Sequence, residues 1–285
     1  VPTLPAPTPL PQPAATDVPV ALTNQRTVAS SVTPHAVSRL RTARQARSTR
    51  PFLTRGGPKG ERCEGCRLRP THCICQLRPD LQTRAGFCLL MHDAEPLKPS
   101  NTGWLIADVV KDTFAFGWAR TEIDPQLQAL LADPLWQAYV VFPGEYVDDA
   151  ARVVNTLEGN AAGLQPGKRP LFILLDATWA EARKMFRKSP YLDRLPVLSL
   201  HPDLISRYQL RRSKRDDHFC TSEVAALCLE LVDAPSDKLA GQVLESYLGV
   251  FTERYLQAKN QRPADESNER HQQLRERLNA AKQPE

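Results

Sequence analysis

Four short apolar runs, Phe87–Met91, Ala138–Phe142, Leu171–Leu175 and Val197–Leu200, most constrain what this chain can fold into. Each looks like a strand buried on both faces, and stretches with helical spacing separate them. That alternation predicts an α/β fold with a mostly parallel sheet and flanking helices. Helices are expected at roughly 101–112, 125–132, 146–158, 177–188, 220–232 and 236–258. The sequence contains no internal repeat, no GxGxxG and no GxxxxGK[ST], so dinucleotide or P-loop chemistry is unsupported.

Nearly all of this pattern lies in residues 60–258, which argues for one large domain. Before it, residues 1–60 hold ten of the 25 prolines, thirteen Ser/Thr and eight Lys/Arg against a single acid, Asp17. A segment so poor in large apolar residues cannot offset its own ordering entropy, so residues 1–59 are expected to be a disordered arm. Residues 60–80 form a candidate metal-binding module, 81–258 an α/β domain, and 259–285 a charged tail able to make a short surface helix or to fray. The net charge of +5 is modest, yet Arg39, Arg41, Arg44, Arg47, Arg50, Arg55, Lys59 and Arg62 make a basic stretch opposed only by Glu61. Polyphosphate is a natural partner for such a stretch, and a solvated arm without a fixed partner is the alternative. No apolar run is long enough to cross a bilayer, and residues 1–20 lack the charged start and apolar centre of a secretory signal. The expectation is an intracellular, cytoplasmic protein.

Cys63, Cys66, Cys73 and Cys75 stand as C-x2-C-x6-C-x-C beside Gly65 and Pro70. Two close thiolate pairs joined by a tight loop can surround one tetrahedral Zn²⁺, and a closed four-thiolate site is structural rather than catalytic. His72 could replace one ligand; disulfides and an iron–sulfur cluster are the alternatives. Cys88, Cys220 and Cys228 lie in apolar patterns and read as ordinary buried residues.

The third apolar run ends in Asp176, followed by Ala177-Thr178-Trp179 and an Ala/Glu/Arg/Lys-rich segment. Ligands of parallel α/β sheets bind beyond the carboxyl ends of strands, which marks Asp176. A helix N-cap explains the same aspartate, and core packing explains Trp179 with Ala182 and Phe186. Arg183, Lys184, Arg187 and Lys188 on that helix, and Arg207, Arg211, Arg212, Lys214 and Arg215 downstream, could grip phosphates, although Asp216 and Asp217 partly counter the second group. Polar groups interrupt the apolar pattern at comparable places: His92 and Glu95, Asn101-Thr102-Gly103, Phe142-Pro143-Gly144, and Thr221-Ser222-Glu223. Helix N-termini suit carboxylates and phosphates, though each segment separately is also an ordinary cap or turn.

Taken in order, the cysteine cluster, His92-Asp93-Ala94-Glu95, Asn101-Thr102-Gly103, Phe142-Pro143-Gly144, Asp176-Ala177-Thr178-Trp179, Tyr208-Gln209-Leu210-Arg211 and Thr221-Ser222-Glu223 resemble the DTW-domain family of tRNA-uridine aminocarboxypropyltransferases. Cys220 departs from the serine expected there. The resemblance implies a fold related to the knotted SPOUT methyltransferases and S-adenosylmethionine as donor. Its 3-amino-3-carboxypropyl group would pass to N3 of a tRNA uridine, releasing methylthioadenosine. It further implies catalytic roles for Asp176, Thr178 and Trp179. Donor binding would fall to His92, Glu95, Asn101, Thr102, Gly103, Phe142, Pro143, Gly144, Asp176, Thr221 and Glu223. Contacts to tRNA would come from Arg183, Lys184, Arg187, Lys188, Arg207, Tyr208 and Arg211. Methyl transfer from the same donor, or tRNA binding without catalysis, are the rival expectations.

Overall fold

The computed structural model describes residues 33–50, 52, 60–157, 163–200 and 219–282. Among them six strands form one sheet: β1 (Gly86–Met91), β2 (Thr113–Gly117), β3 (Trp136–Val141), β4 (Val153–Val154), β5 (Arg169–Asp176) and β6 (Val197–Leu198). Their order is β2-β1-β5-β3-β6-β4, and every neighbouring pair is parallel. The central strands β1 and β5 are aligned from Gly86 opposite Leu171 to Met91 opposite Asp176. Their carboxyl ends therefore lie side by side.

Strand alternation sorts the core into two layers, because successive side chains point to opposite faces. Phe87, Leu89, Met91, Tyr139, Phe172 and Leu174 face one way. They pack with helices α1 (Ala36–Ala46), α2 (Gly103–Val109), α5 (Thr221–Glu230), α6 (Pro235–Lys259) and α7 (Glu269–Ala280). Cys88, Leu90, Ala138, Val140, Leu171 and Ile173 face the other way, against α3 (Pro125–Ala132) and α4 (Trp179–Arg187). Complete burial of the β1 residues on both sides explains why this strand reads as an unbroken apolar run. No helix among the described residues is long and apolar enough to cross a membrane.

Two expectations need correction. The helix expected at 146–158 is not formed by its described residues, 146–157: they make a turn of 3-10 helix at Ala150–Arg152, with Asp149 accepting from Ala151 N at 3.0 Å, and then β4. The β-branched Val153 and Val154 pair with Val197 and Leu198 instead. Within the stretch read as a disordered arm, residues 36–46 are helical. His35 caps α1 by accepting from Ser38 N at 3.1 Å, and Val37 is buried in the first core layer. Tertiary docking supplies what composition lacks. Of the two fates open to the tail, a short helix or fraying, the helix is the one formed: α7 buries His271 and Leu274. Residues 1–32, 51 and 53–59 of the arm, like Arg207, Tyr208, Arg211, Arg212, Lys214 and Arg215, lie outside the described residues.

Candidate active centre and metal site

Asp176 is the last residue of β5 and completely buried, on the face that meets α2 and α5. Its carboxylate joins the starts of those two helices. Asn101 Nδ2 donates to Oδ2 at 2.6 Å, and Thr221 Oγ1 donates to Oδ1 at 2.6 Å. The same Asn101 accepts from Trp104 N at 3.0 Å and so closes the first turn of α2. The two Asp176 oxygens accept the bonds from Asn101 and Thr221, at the helix ends where the backbone dipoles favour negative charge. A β-carbon on Gly103 would come within 2.6 Å of Asp176 Oδ2, so only glycine lets the helix approach this closely.

Around this centre Glu95 is fully buried and ion-paired with Lys98, and its Oε2 lies 3.5 Å from Asn101 Nδ2. Thr102 is also fully buried, and its hydroxyl has no hydrogen-bond partner among the described residues. A desolvated hydroxyl without a partner is costly and expected to be satisfied by something. This hydroxyl stands at the N-cap of α2.

The other half of the D-x-T-W motif turns to the opposite face of the sheet. Thr178 and Glu181 form a capping box at the start of α4, with Thr178 N donating to Glu181 Oε2 at 2.9 Å. Glu181 Oε1 also stands 3.3 Å from His92 Nδ1, and His92 stacks on Trp118. Trp179 packs against the second core layer and stacks on Phe142 with ring centroids 5.5 Å apart, while Phe142 in turn stacks on Phe186 at 4.4 Å. Tyr146 meets Trp179 edge-on, and Arg183 lies over the Tyr146 ring at 4.7 Å. Among the remaining residues of the basic group, Lys184, Arg187 and Lys188 are exposed. Next to Phe142 and Pro143, Gly144 donates its N–H to Ser199 Oγ at 3.0 Å. Glu223 caps α5 by accepting from Cys220 N at 2.8 Å, an ordinary capping use of both residues.

Asp176, Asn101, Thr102, Gly103, Glu95 and Thr221 are thus brought together; Thr178, Trp179 and His92 flank them from the other side of the strand end. Sequence reading missed Trp118, Lys98 and Ser199. Trp118 follows β2, whose Thr-Phe-Ala-Phe-Gly alternation was the signal that could have found it.

The four cysteine sulfurs of residues 63, 66, 73 and 75 all lie within 4.8 Å of one another. Cys63 to Cys75 is 3.5 Å, Cys63 to Cys73 3.6 Å and Cys66 to Cys73 3.7 Å. Tetrahedral Zn²⁺ with Zn–S bonds of about 2.3 Å places its sulfurs about 3.8 Å apart, so the cluster has the size of that ion's coordination shell. No two of these cysteines are disulfide-bonded. His72 is not among the ligands: its ring nitrogens engage Thr71 Oγ1 at 2.9 Å and the Arg262 carbonyl at 3.0 Å.

A parallel α/β sheet whose strand ends hold a buried carboxyl group, preceded by a cluster of four cysteines able to hold a metal ion, defines the class of this protein. The family model of the DTW domain matches residues 60–256, and the chain belongs to that family, which is associated with tRNA modification. No solved structure shows a significant match.

Proposed function

We propose that this protein transfers the 3-amino-3-carboxypropyl group of S-adenosylmethionine to N3 of a tRNA uridine. The observation that carries the reading is the convergence of Asn101 and Thr221 on the buried Asp176 at the carboxyl ends of β1 and β5, with the unpartnered hydroxyl of Thr102 next to Asn101 in the chain. Such a strand-end crevice is where α/β sheets bind their ligands. The donor supplies a carbon made electrophilic by its sulfonium. Attack by N3 forms the N–C bond, the C–S bond breaks with its electron pair going to sulfur, methylthioadenosine leaves, and the N3 proton passes to a base.

Asn101, Thr102, Gly103 and Thr221, with His92, Glu95, Phe142, Pro143, Gly144 and Glu223, would hold the donor. The buried Asp176 charge would orient Asn101 and Thr221 and favour the sulfonium, and it is also the nearest candidate for the base. As a base it must first release one of its two short hydrogen bonds. Trp179 offers a ring to a base or to the sulfonium, and Thr178 fixes the start of the helix that carries it. Arg183, Lys184, Arg187 and Lys188, with Arg207, Tyr208 and Arg211, would position tRNA phosphates. Zn²⁺ would be held by Cys63, Cys66, Cys73 and Cys75 in a structural role. A relationship to knotted SPOUT folds belongs to the same reading; insertion of the later strand β5 between β1 and β3 supports it.

The test is nucleoside mass spectrometry of tRNA incubated with the protein and S-adenosylmethionine. An adduct of aminocarboxypropyl mass on uridine, with methylthioadenosine released, is expected. A methyl adduct with adenosylhomocysteine would replace this reading by methyl transfer. Bound tRNA with the donor unused would leave a binding protein.

A further inference from the structure

Residues Asp93 to Asn101 run from the end of β1 to the start of α2 and carry Glu95 and Asn101 of the candidate centre. Three arginines hold this loop from behind. Arg44 makes paired bonds to the Asp93 carboxylate at 2.6 and 2.7 Å. Arg41 Nη1 donates to the carbonyls of Pro96 at 2.9 Å and Leu97 at 2.7 Å. Arg67 Nη1 donates to the Asn101 carbonyl at 2.9 Å and lies 3.4 Å from that of Lys98. Arg41 and Arg44 come from α1, outside residues 60–256 matched by the family model, and Arg67 comes from the metal knuckle, the loop of residues 63–75 that carries the four clustered cysteines.

Arg67 carries the strongest sign of a dedicated role. It follows Cys66 with φ at +64°, a left-handed conformation in which glycine is the unstrained choice. A side chain is kept there all the same, and it is 2% exposed. Its guanidinium lies over the Trp104 ring at 4.3 Å and 5.4 Å from the Phe251 centroid. Trp104 returns the contact by donating Nε1–H to the Gly65 carbonyl at 3.1 Å, so the knuckle and the start of α2 are tied twice. The Asn101 whose carbonyl Arg67 holds is the same residue whose side chain meets Asp176.

We infer that Arg41, Arg44 and Arg67 are positioning residues that fix the 93–101 loop, so that α1 and the metal knuckle form the rear wall of the donor site. The inference rests on the reading of that site as the S-adenosylmethionine site. Arg44 uses the planar fork of its guanidinium on the Asp93 carboxylate, while Arg41 and Arg67 each reach two carbonyls through Nη1 alone.

The experiment compares Arg41→Met, Arg44→Met and Arg67→Met, which keep aliphatic volume and remove the donors, with Arg39→Met as control. Arg39 stands on the same helix but donates to the Pro34 carbonyl at 2.7 Å. Zinc content and circular dichroism establish folding. Amide hydrogen exchange then reads the loop, and calorimetry at low temperature, without tRNA, reads S-adenosylmethionine affinity. Faster exchange confined to peptides covering 93–101, with donor affinity weakened roughly ten- to a hundredfold in Arg41→Met and Arg67→Met, is expected, because small misplacements are costly at reacting centres. The control should bind as wild type. Unchanged exchange in the loop refutes the clamp; faster exchange with undiminished donor affinity refutes the positioning role. Wild-type protein that binds no S-adenosylmethionine refutes the donor reading itself, a failure distinct from variants that bind as well as wild type.

Discussion

At the residue scale, the buried Asp176 receives two hydrogen bonds, and the proposed reaction would add a second, separable job, supplying negative charge. Asp176→Asn tests the second with little disturbance of the first. The new amide oxygen can still accept from Asn101 Nδ2, and the new amide can donate to Thr221, whose hydroxyl is able to accept as well as donate. The fold should survive, while turnover should fall by about 10²-fold or more if the charge acts as base or stabilises the sulfonium. Full activity in a folded Asp176→Asn protein would remove Asp176 from the chemistry. Thr102→Val asks the complementary question of a group whose hydroxyl lacks a partner. Valine keeps the shape and removes a desolvated polar atom, so stability should stay level or rise. Donor affinity should fall about fivefold to tenfold if that hydroxyl bonds the ligand, since one neutral hydrogen bond contributes about 1 kcal/mol. Unaltered affinity would leave Thr102 as packing alone.

At the scale of elements, helix α1 depends on a neutral histidine. His35 Nδ1 accepts from Ser38 N, and its ring packs edge-on against Trp104, so a proton on Nδ1 would abolish the cap. Burial pushes the His35 pKa down to about 2, helped by the charges of Arg78, Arg67 and Arg39; Asp108, whose Oδ1 is 3.5 Å from Nε2, is the acid facing it. The unfolded chain takes up the proton near its ordinary pKa of about 6.5 while the folded chain does not, so this stabilisation is complete above that pH and declines as pH falls through it towards about 2. The decline has a limiting slope of about 1.4 kcal/mol per pH unit. Asparagine caps a helix without titrating. Denaturation of wild type and His35→Asn between pH 7.5 and about 5 should therefore show the wild type losing ground as pH falls, and parallel curves would refute the assignment. This helix was illegible in the sequence for a physical reason. Its arginines read as a grip for polyphosphate or as solvated charge, whereas Arg41 and Arg44 bond to the 93–101 loop. The central strands β1, β3 and β5 were legible because burial on both faces leaves no polar positions. The edge strands were not: β4 is two residues long and β2 mixes buried with half-buried positions. Of the candidate site, Asp176, Asn101 and Thr221 could be named, but only the fold shows that one carboxylate joins them and that Trp179 turns to the opposite face.

At the scale of the whole molecule, the metal knuckle joins the N-terminal and C-terminal helices to one layer of the core. Cys66, Leu68 and Ile74 are buried in that layer with α1, α2 and α6, and His72 meets the Arg262 carbonyl just beyond α6. Four sulfurs this close can all ionise only with a cation among them, so metal binding and the packing of this whole layer should be one event. The protein should carry one zinc per chain. Chelation should lower the melting temperature by at least about 10 °C, a loss of several kcal/mol in a domain of this size. Added Zn²⁺ should restore it, and Cys66→Ser should reproduce the loss without chelator. Because Arg67 and Gly65 tie the knuckle to Asn101 and Trp104, the chelated protein should also show faster amide exchange at the start of α2 while the central strand β5 stays protected. Metal-free protein that melts like the loaded form would refute the structural role. Lowered melting with unchanged exchange at residues 101–104 would confine the metal's influence to the knuckle itself.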